Sequence, residues 1–421
     1  MTALRLHLRT SPLRWILLPL VALPLAILLS QPGSWVGSWP ETGAAVQLSA
    51  FFLSVVAAGA AAWMSGSSSR HGLDEQTAAA AVPAARAEAY RLGATTVLLL
   101  VPYLIAAAVG FAFTARTFPA GIQLWFGYVL MGTVVMLLAV AWGWALGRYF
   151  DPAYSALIAL LSWFAFRAFP GETVDLGVVN GPAWRQPDTE ALLVRFVFAA
   201  VFLAAIVWAP RRPMRRRPNW KGLVFPVTGA AAAVIATMTT TGVSDRHIPE
   251  NPLCVAGEVE MCLWPEDSRH VPVVEALDGR LSTLPAFWRL PERLHEYGLK
   301  RQRVSRGGEV FSQLEGDFRI PAGSKWGLAL DLSNAVIAQT LKSCDWDSIR
   351  KAEDFGPETL RKWLEFYLAE SSTPEYRTSD VSQGMQEAWS VASAAFTEMS
   401  PRRQLEWTRQ QLDRVKATYC G

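Results

Sequence analysis

From its N-terminus the chain alternates long, charge-free apolar windows with short polar joins. The windows are 15–40, 42–69, 92–115, 117–147, 152–166, 196–210 and 222–244. About 20 apolar residues cross the hydrocarbon core of a bilayer as a helix. Five windows exceed that length. The fifth and sixth are shorter, each bounded by one arginine, Arg167 and Arg195, and an arginine near a helix end can snorkel to the headgroups. Helix is the form such runs take in lipid, where an unpaired backbone polar group is too costly. The pattern predicts seven spans near 14–30, 44–64, 94–114, 121–147, 153–169, 190–209 and 222–241. Arg5, Arg9 and Arg14 before the first run also resemble a signal peptide, but 28–32 lacks a small-x-small cleavage pattern.

After residue 242 the periodicity changes. Stretches 272–286 and 291–298 look helical, each with a proline (Pro272, Pro291) suited to a first turn. Residues 300–320 alternate around Gly307-Gly308 and predict a small antiparallel sheet. Helical signals return from 324 onward: a short helix capped by Asp347, an amphipathic helix over 357–370, and helices over 380–397 and 401–418, the last opened by Ser400-Pro401. The fold class expected is an all-α polytopic membrane domain over 1–242. A mainly α (α+β), disulfide-containing extracytoplasmic domain follows over 243–421.

Charge sets the orientation. Residues 1–242 hold 17 basic and 9 acidic residues, and residues 243–421 hold 22 and 27, so a formal net charge of +3 hides two unlike halves. In the membrane half the basic residues fall in alternate joins. One set holds Arg5, Arg9 and Arg14, then Arg70, Arg86 and Arg91, then Arg148, then the run from Arg211 to Lys221; the other set holds only Arg116 and Arg185. Short cytoplasmic loops carry the excess of Lys and Arg. The expectation is therefore a multi-pass cell-membrane protein with a cytoplasmic N-terminus and residues 242–421 outside. Of the 39 basic residues 32 are Arg, which fits a GC-rich bacterial genome. The composition excludes a disordered chain, with 51% hydrophobic residues and 18 Trp, and the charge split needs no nucleic-acid partner.

All four cysteines, Cys254, Cys262, Cys344 and Cys420, lie in the second half, as expected of disulfides in an oxidising compartment. Three pairings are possible; the favoured one is Cys254–Cys262 with Cys344–Cys420. The competing reading is a metal site of Cys254, Cys262, His247 and His270, whose Cys-x7-Cys spacing is wider than that of structural zinc sites. The outer half offers Glu258, Glu260, Glu266, Asp267, His270, His295 and Glu296 as acids and bases. It lacks an H-E-x-x-H helix and a G-x-S-x-G elbow, so neither catalysis nor a metal is expected. Trp264 and Glu266 form either a ligand-facing corner or, as the heavier reading, a core aromatic beside a disulfide.

The membrane half carries two further features. Gly143-Trp-Ala-Leu-Gly147 is a small-xxx-small pattern that permits close helix approach and reads as packing. Arg167 and Arg195 either snorkel or receive an anionic ligand. No phosphate-binding loop of the G-x4-G-K-[ST] type occurs, so the chain is not expected to bind ATP itself. The join 65–93 is a helix-forming Ala/Glu/Gln stretch broken by Pro83, followed by a second helical stretch that runs into the third span. Asp74 and Glu75 suit a helix start.

In the order Gly72, Asp74, Glu75, Pro83, Arg86, Gly93, and in its span order over about 10–210, the chain resembles the membrane subunits of ABC-2-class ATP-binding-cassette exporters. The resemblance implies that residues 70–92, with Asp74, Glu75, Pro83 and Arg86, dock on a separate ATPase subunit that binds the ATP. It also implies that a second permease copy or paralogue pairs with this one in the bilayer. The chain departs from that pattern in a short N-terminal amphipathic segment, a seventh span and an appended outer domain. The other function class is a membrane-anchored receptor or sensor whose outer domain binds a ligand.

Overall fold

A computed structural model of the chain describes residues 2–30, 32–70, 83–150, 154–168, 184–208, 243–306, 309–320, 325–345, 349, 356–372 and 383–420. It divides into two compact units, Met1–Arg246 and His247–Gly421. Asp74, Glu75, the expected seventh span, the Gly307-Gly308 turn and the Asp347 cap lie outside the described residues.

The first unit is a helix bundle. Its helices are α1 (Thr2–Thr10), α2 (Leu17–Leu29), α3 (Pro32–Trp35), α4 (Trp39–Arg70), α5 (Ala84–Thr114), α6 (Ile122–Tyr149), α7 (Ser155–Ala168) and α8 (Thr189–Trp208). Among the described residues, five helical stretches are long and apolar enough to cross a membrane: Pro12–Leu29, Trp39–Ser67, Ala84–Thr114, Ile122–Arg148 and Thr189–Trp208. Of the expected span at 153–169, the described residues form helix α7, 14 residues long, about 21 Å at 1.5 Å per residue; the residues on either side of 154–168 lie outside the described ones.

Helices α4 and α6 form the centre. They run parallel, and α6 crosses α4 at Gly143 and Gly147. A Cβ added at Gly143 would lie 2.0 Å from the Ala58 carbonyl oxygen, and one at Gly147 would lie 2.2 Å from that of Ala62. Ala57, Ala58, Ala61 and Ala62 on α4 are fully buried at this seam. Small residues matter here because lipid supplies no hydrophobic drive for helix association, so backbone approach and dispersion must do it. Antiparallel to α4, α7 lays Leu160 beside Gly59 and donates the Trp163 indole N–H to Ser54 Oγ at 3.0 Å.

The bundle has two unlike ends. At the aromatic end Trp39 packs on Phe111, Phe118 and Trp125, and its indole N–H donates to Pro119 O at 2.7 Å. Thr42 and Thr114 share a hydrogen bond there. Strand β1 (Arg185–Pro187) is also at this end, with Pro187 against Gly127 in the second turn of α6. It pairs antiparallel with β2 (Val243–Asp245), and Arg246 N donates to Trp184 O at 2.9 Å. Helix α8 starts at this end, two residues after β1, and finishes at the other.

The second unit joins strands β3 (Leu253–Val255), β4 (Glu260–Leu263) and β5 (Arg293–His295), hairpin β6–β7 (Lys300–Arg306, Glu309–Glu315), and helices α9 (Val271–Leu281), α10 (Lys325–Thr340), α11 (Gly356–Ala369), α12 (Gln383–Glu398) and α13 (Pro401–Tyr419). Helix α11 is the hub, packed against α9, α10, α12 and α13, with Leu360, Trp363, Leu364 and Phe366 fully buried. The amphipathic reading of 357–370 accounts for it. The helix expected over 291–298 is instead strand β5, parallel to β4 with Met261 opposite Leu294. Glu296 N donates to Cys262 O at 2.8 Å, and Gly298 takes a left-handed φ of 93° that ends the segment. Pro291 marks a strand entry rather than a helix start, because burying Leu294 in the core outweighs the local helical signal.

The close approach on α6 yields a paired expectation. Gly143→Ala should destabilise the full chain by about 2 kcal/mol, through overpacking against the α4 backbone. Gly279→Ala, where a Cβ would meet nothing within 4 Å, should be neutral or stabilise by up to about 1 kcal/mol. Thermal unfolding of the purified protein in detergent checks both.

Candidate functional site: a buried charge cluster at one end of the bundle

Helix α5 begins directly after Pro83, whose fixed φ of −56° suits a helix entry and whose carbonyl accepts the Arg86 and Ala87 amides. The predicted second helical stretch of the 65–93 join is thus the first turns of α5 itself. Pro83 and Arg86 are exposed. Glu88, one turn further on, is 2% exposed.

A lone buried carboxylate in a bilayer-sized bundle would be prohibitive, so the fold surrounds it with donors. The Trp144 indole N–H of α6 donates to Glu88 Oε1 at 2.7 Å. Arg148 Nη1, one turn later on α6, lies 3.8 Å from the same oxygen. Arg91 Nη1, three residues on in α5, lies 3.9 Å from Oε2. The two arginines reach outward again: Arg148 Nη1 donates to the Ile206 carbonyl near the end of α8, and Arg91 Nη2 to the Met64 carbonyl of α4 at 3.5 Å. One carboxylate therefore ties together α4, α5, α6 and α8. Close by, Leu4 of α1 approaches Gly93 of α5, which brings the N-terminal amphipathic helix to the same end.

Sequence reasoning missed this cluster. It used Arg91 and Arg148 as topology charges and Glu88 as part of a loop. The available signal was an acid four residues short of an apolar window and an arginine directly after another, at what the span order makes the same end.

The remaining expected site residues are dispersed. Arg195 is 2% exposed on the α8 face shared with Ala191, Ala199, Phe202 and Ile206. It lies inside the bundle rather than snorkelling. Arg167 is buried too, its guanidinium 5.3 Å from the Phe51 ring. Phe51 is twelve residues along α4 from Trp39, about 18 Å below the aromatic end. Trp264 is fully buried, and its indole N–H donates to Tyr297 O at 3.0 Å. Glu266 is also buried. Both side chains thus lie in the interior of the second unit.

The structure joins Cys254 to Cys262 and Cys344 to Cys420. The first pair are direct cross-strand neighbours of β3 and β4. While that bond stands it uses both sulfurs of the Cys254, Glu260, Cys262 donor group. The second closes a long loop, worth roughly 4 kcal/mol in the chain-entropy view. It fastens the end of α13 beside the buried Cys344, where Asp345 N donates to Tyr419 O at 3.0 Å.

Searches against protein-family models, curated proteins and solved structures find no match to this chain.

Removing one member of the buried cluster leaves opposite charges stranded. Glu88→Gln should cost about 3 kcal/mol of stability. Adding Arg148→Met should recover part of that loss, because it removes one of the stranded cations. A double-mutant cycle on thermal midpoints of the full chain checks this; additive losses would show that the pair is not coupled.

Proposed function

We propose that the chain is the membrane-spanning subunit of an ATP-driven transporter, an exporter, powered by a separate cytoplasmic ATPase that docks on residues 70–92. The observation that carries this reading is the tie between that segment and the bundle. The helix that leaves the loop at Pro83 is held within two turns by Glu88 to α6 and, through Arg148 and Arg91, to α8 and α4. A force applied to the loop would reach four helices without slack. A receptor whose spans only anchor it has no use for such a connection.

Two further features support the orientation. Basic residues concentrate at the Glu88 end, the pattern of a cytoplasmic face. Helix α8 finishes at that end with Trp208, whereas β2 lies beside β1 at the aromatic end. The connection 209–242 therefore starts at one end of the bundle and returns to the other. Its apolar stretch 222–241 is long enough for a seventh crossing. On this reading the second unit follows on the extracytoplasmic side, in keeping with its two disulfides.

Affinity purification of the intact chain from its native membranes should bring down an ATP-binding-cassette ATPase. The charge reversals Asp74→Lys and Glu75→Lys together should cut its recovery at least tenfold while the permease stays folded. Absence of any such ATPase with the unaltered chain would refute the assignment.

A further inference from the structure

The two disulfides of the second unit are unlike, and the transport reading uses neither. Cys254–Cys262 spans a sequence separation of 8 residues and Cys344–Cys420 one of 76. Cys344 is buried and Cys420 half-buried, at the end of a helix, α13, that packs on the hub α11. Cys254 is exposed, whereas its partner Cys262 is 1% exposed.

The sheet register explains this difference. Met261, Leu263 and Leu294 turn into the core. Successive strand residues face opposite sides, so Cys262 lies on the other face, flanked by Cys254 on β3 and by His295 on β5. Glu260 and its cross-strand partner Arg293 continue that face and bind one another. Glu260 and His295 are half-buried and Arg293 is exposed. The face that carries the disulfide therefore reaches solvent.

Strand β3 is three residues long and forms an edge of its sheet. The ladder to β4, the disulfide and packing against α9 hold it. A ladder of three residues is marginal alone. The chain just beyond β3 is held separately, because Asp278 of α9 accepts the Glu258 amide at 3.1 Å and the Val259 amide at 3.0 Å. Loss of the covalent tie would thus loosen β3 as far as the Asp278 clamp and leave the core in place.

We propose that Cys254–Cys262 is a thiol–disulfide exchange site: an external dithiol reduces it reversibly and β3 loosens from β4, while Cys344–Cys420 stays closed. A short closed loop gains less chain-entropy stabilisation than a long one, and exposed disulfides are the exchangeable ones. A thiolate of the dithiol attacks Cys254 Sγ, since Cys262 is covered. The S–S bond breaks, and Cys262 leaves as a thiolate that takes a proton from water. The second thiolate of the dithiol then attacks the first, which is bonded to Cys254. Cys254 leaves as a thiolate and is protonated in turn. Two electrons and two protons have passed to the protein, and the dithiol departs as its own disulfide. The inference is independent of the transport reading.

Graded dithiothreitol on the folded full chain, quenched by alkylation and followed by mass mapping, tests the site. Cys254 and Cys262 should be alkylated on the order of tenfold faster than Cys344 and Cys420. In the selectively reduced chain, amide exchange over 253–255 should quicken by roughly tenfold or more, while Val259 keeps its protection. Oxidised dithiothreitol should restore both the bond and the slow exchange. Cys254→Ala with Cys262→Ala should show the fast exchange without any dithiol and no response to it. Opening of Cys344–Cys420 first or at the same rate would overturn the proposal. So would exchange over 253–255 that is unchanged by reduction and in the double variant.

Discussion

The membrane unit depends on one steric fact: the backbone of α6 rests directly on the backbone of α4. Gly143 and Gly147 leave no room for a side chain between them and the Ala58 and Ala62 carbonyls. Everything else in the bundle is arranged around that pair. Because the two helices run parallel, their ends coincide. The joins before α4 and α6 therefore collect at the aromatic end, and Met64, Trp144 and Arg148 collect at the other. The small residues thus do more than pack; they set the level at which polar groups from different helices can meet.

Within that frame the polar groups are satisfied by a recurring device. Indole N–H groups, which donate but never accept, point at nearby oxygens: Trp35 at Leu28 O, Trp39 at Pro119 O, Trp142 at Ser162 Oγ, Trp163 at Ser54 Oγ and Trp144 at Glu88. A tryptophan covers a large apolar area and carries one directional bond, which suits a bundle that must fix helix register with few charges. The Glu88 cluster is the costlier form of the same solution, and its cost is what makes it hard to pull apart.

Apolar periodicity made the long helices and the amphipathic α11 legible, and the alternation around Gly307-Gly308 marked the β6–β7 hairpin. Legibility failed where tertiary contact outvoted local signal. Pro291 reads as a helix entry, but Leu294 is drawn into the core as a strand residue. Arg195 reads as a snorkelling residue near a helix end, but it lies on the packed face of α8. Glu88 was invisible for another reason: nothing local distinguishes an acid that will be buried from one in a solvated loop. Only its distant partners Trp144 and Arg148 do that.

The central claim is that the Glu88 end faces the cytoplasm and the chain crosses the bilayer an odd number of times, so residues 247–421 lie outside. The most direct measurement is a fluorescent reporter that matures only in the cytoplasm, fused after Gly421 of the intact chain in cells. The account predicts normal expression with no fluorescence, and activity from an export-dependent enzymatic reporter at the same position. Bright fluorescence from the Gly421 fusion would contradict it.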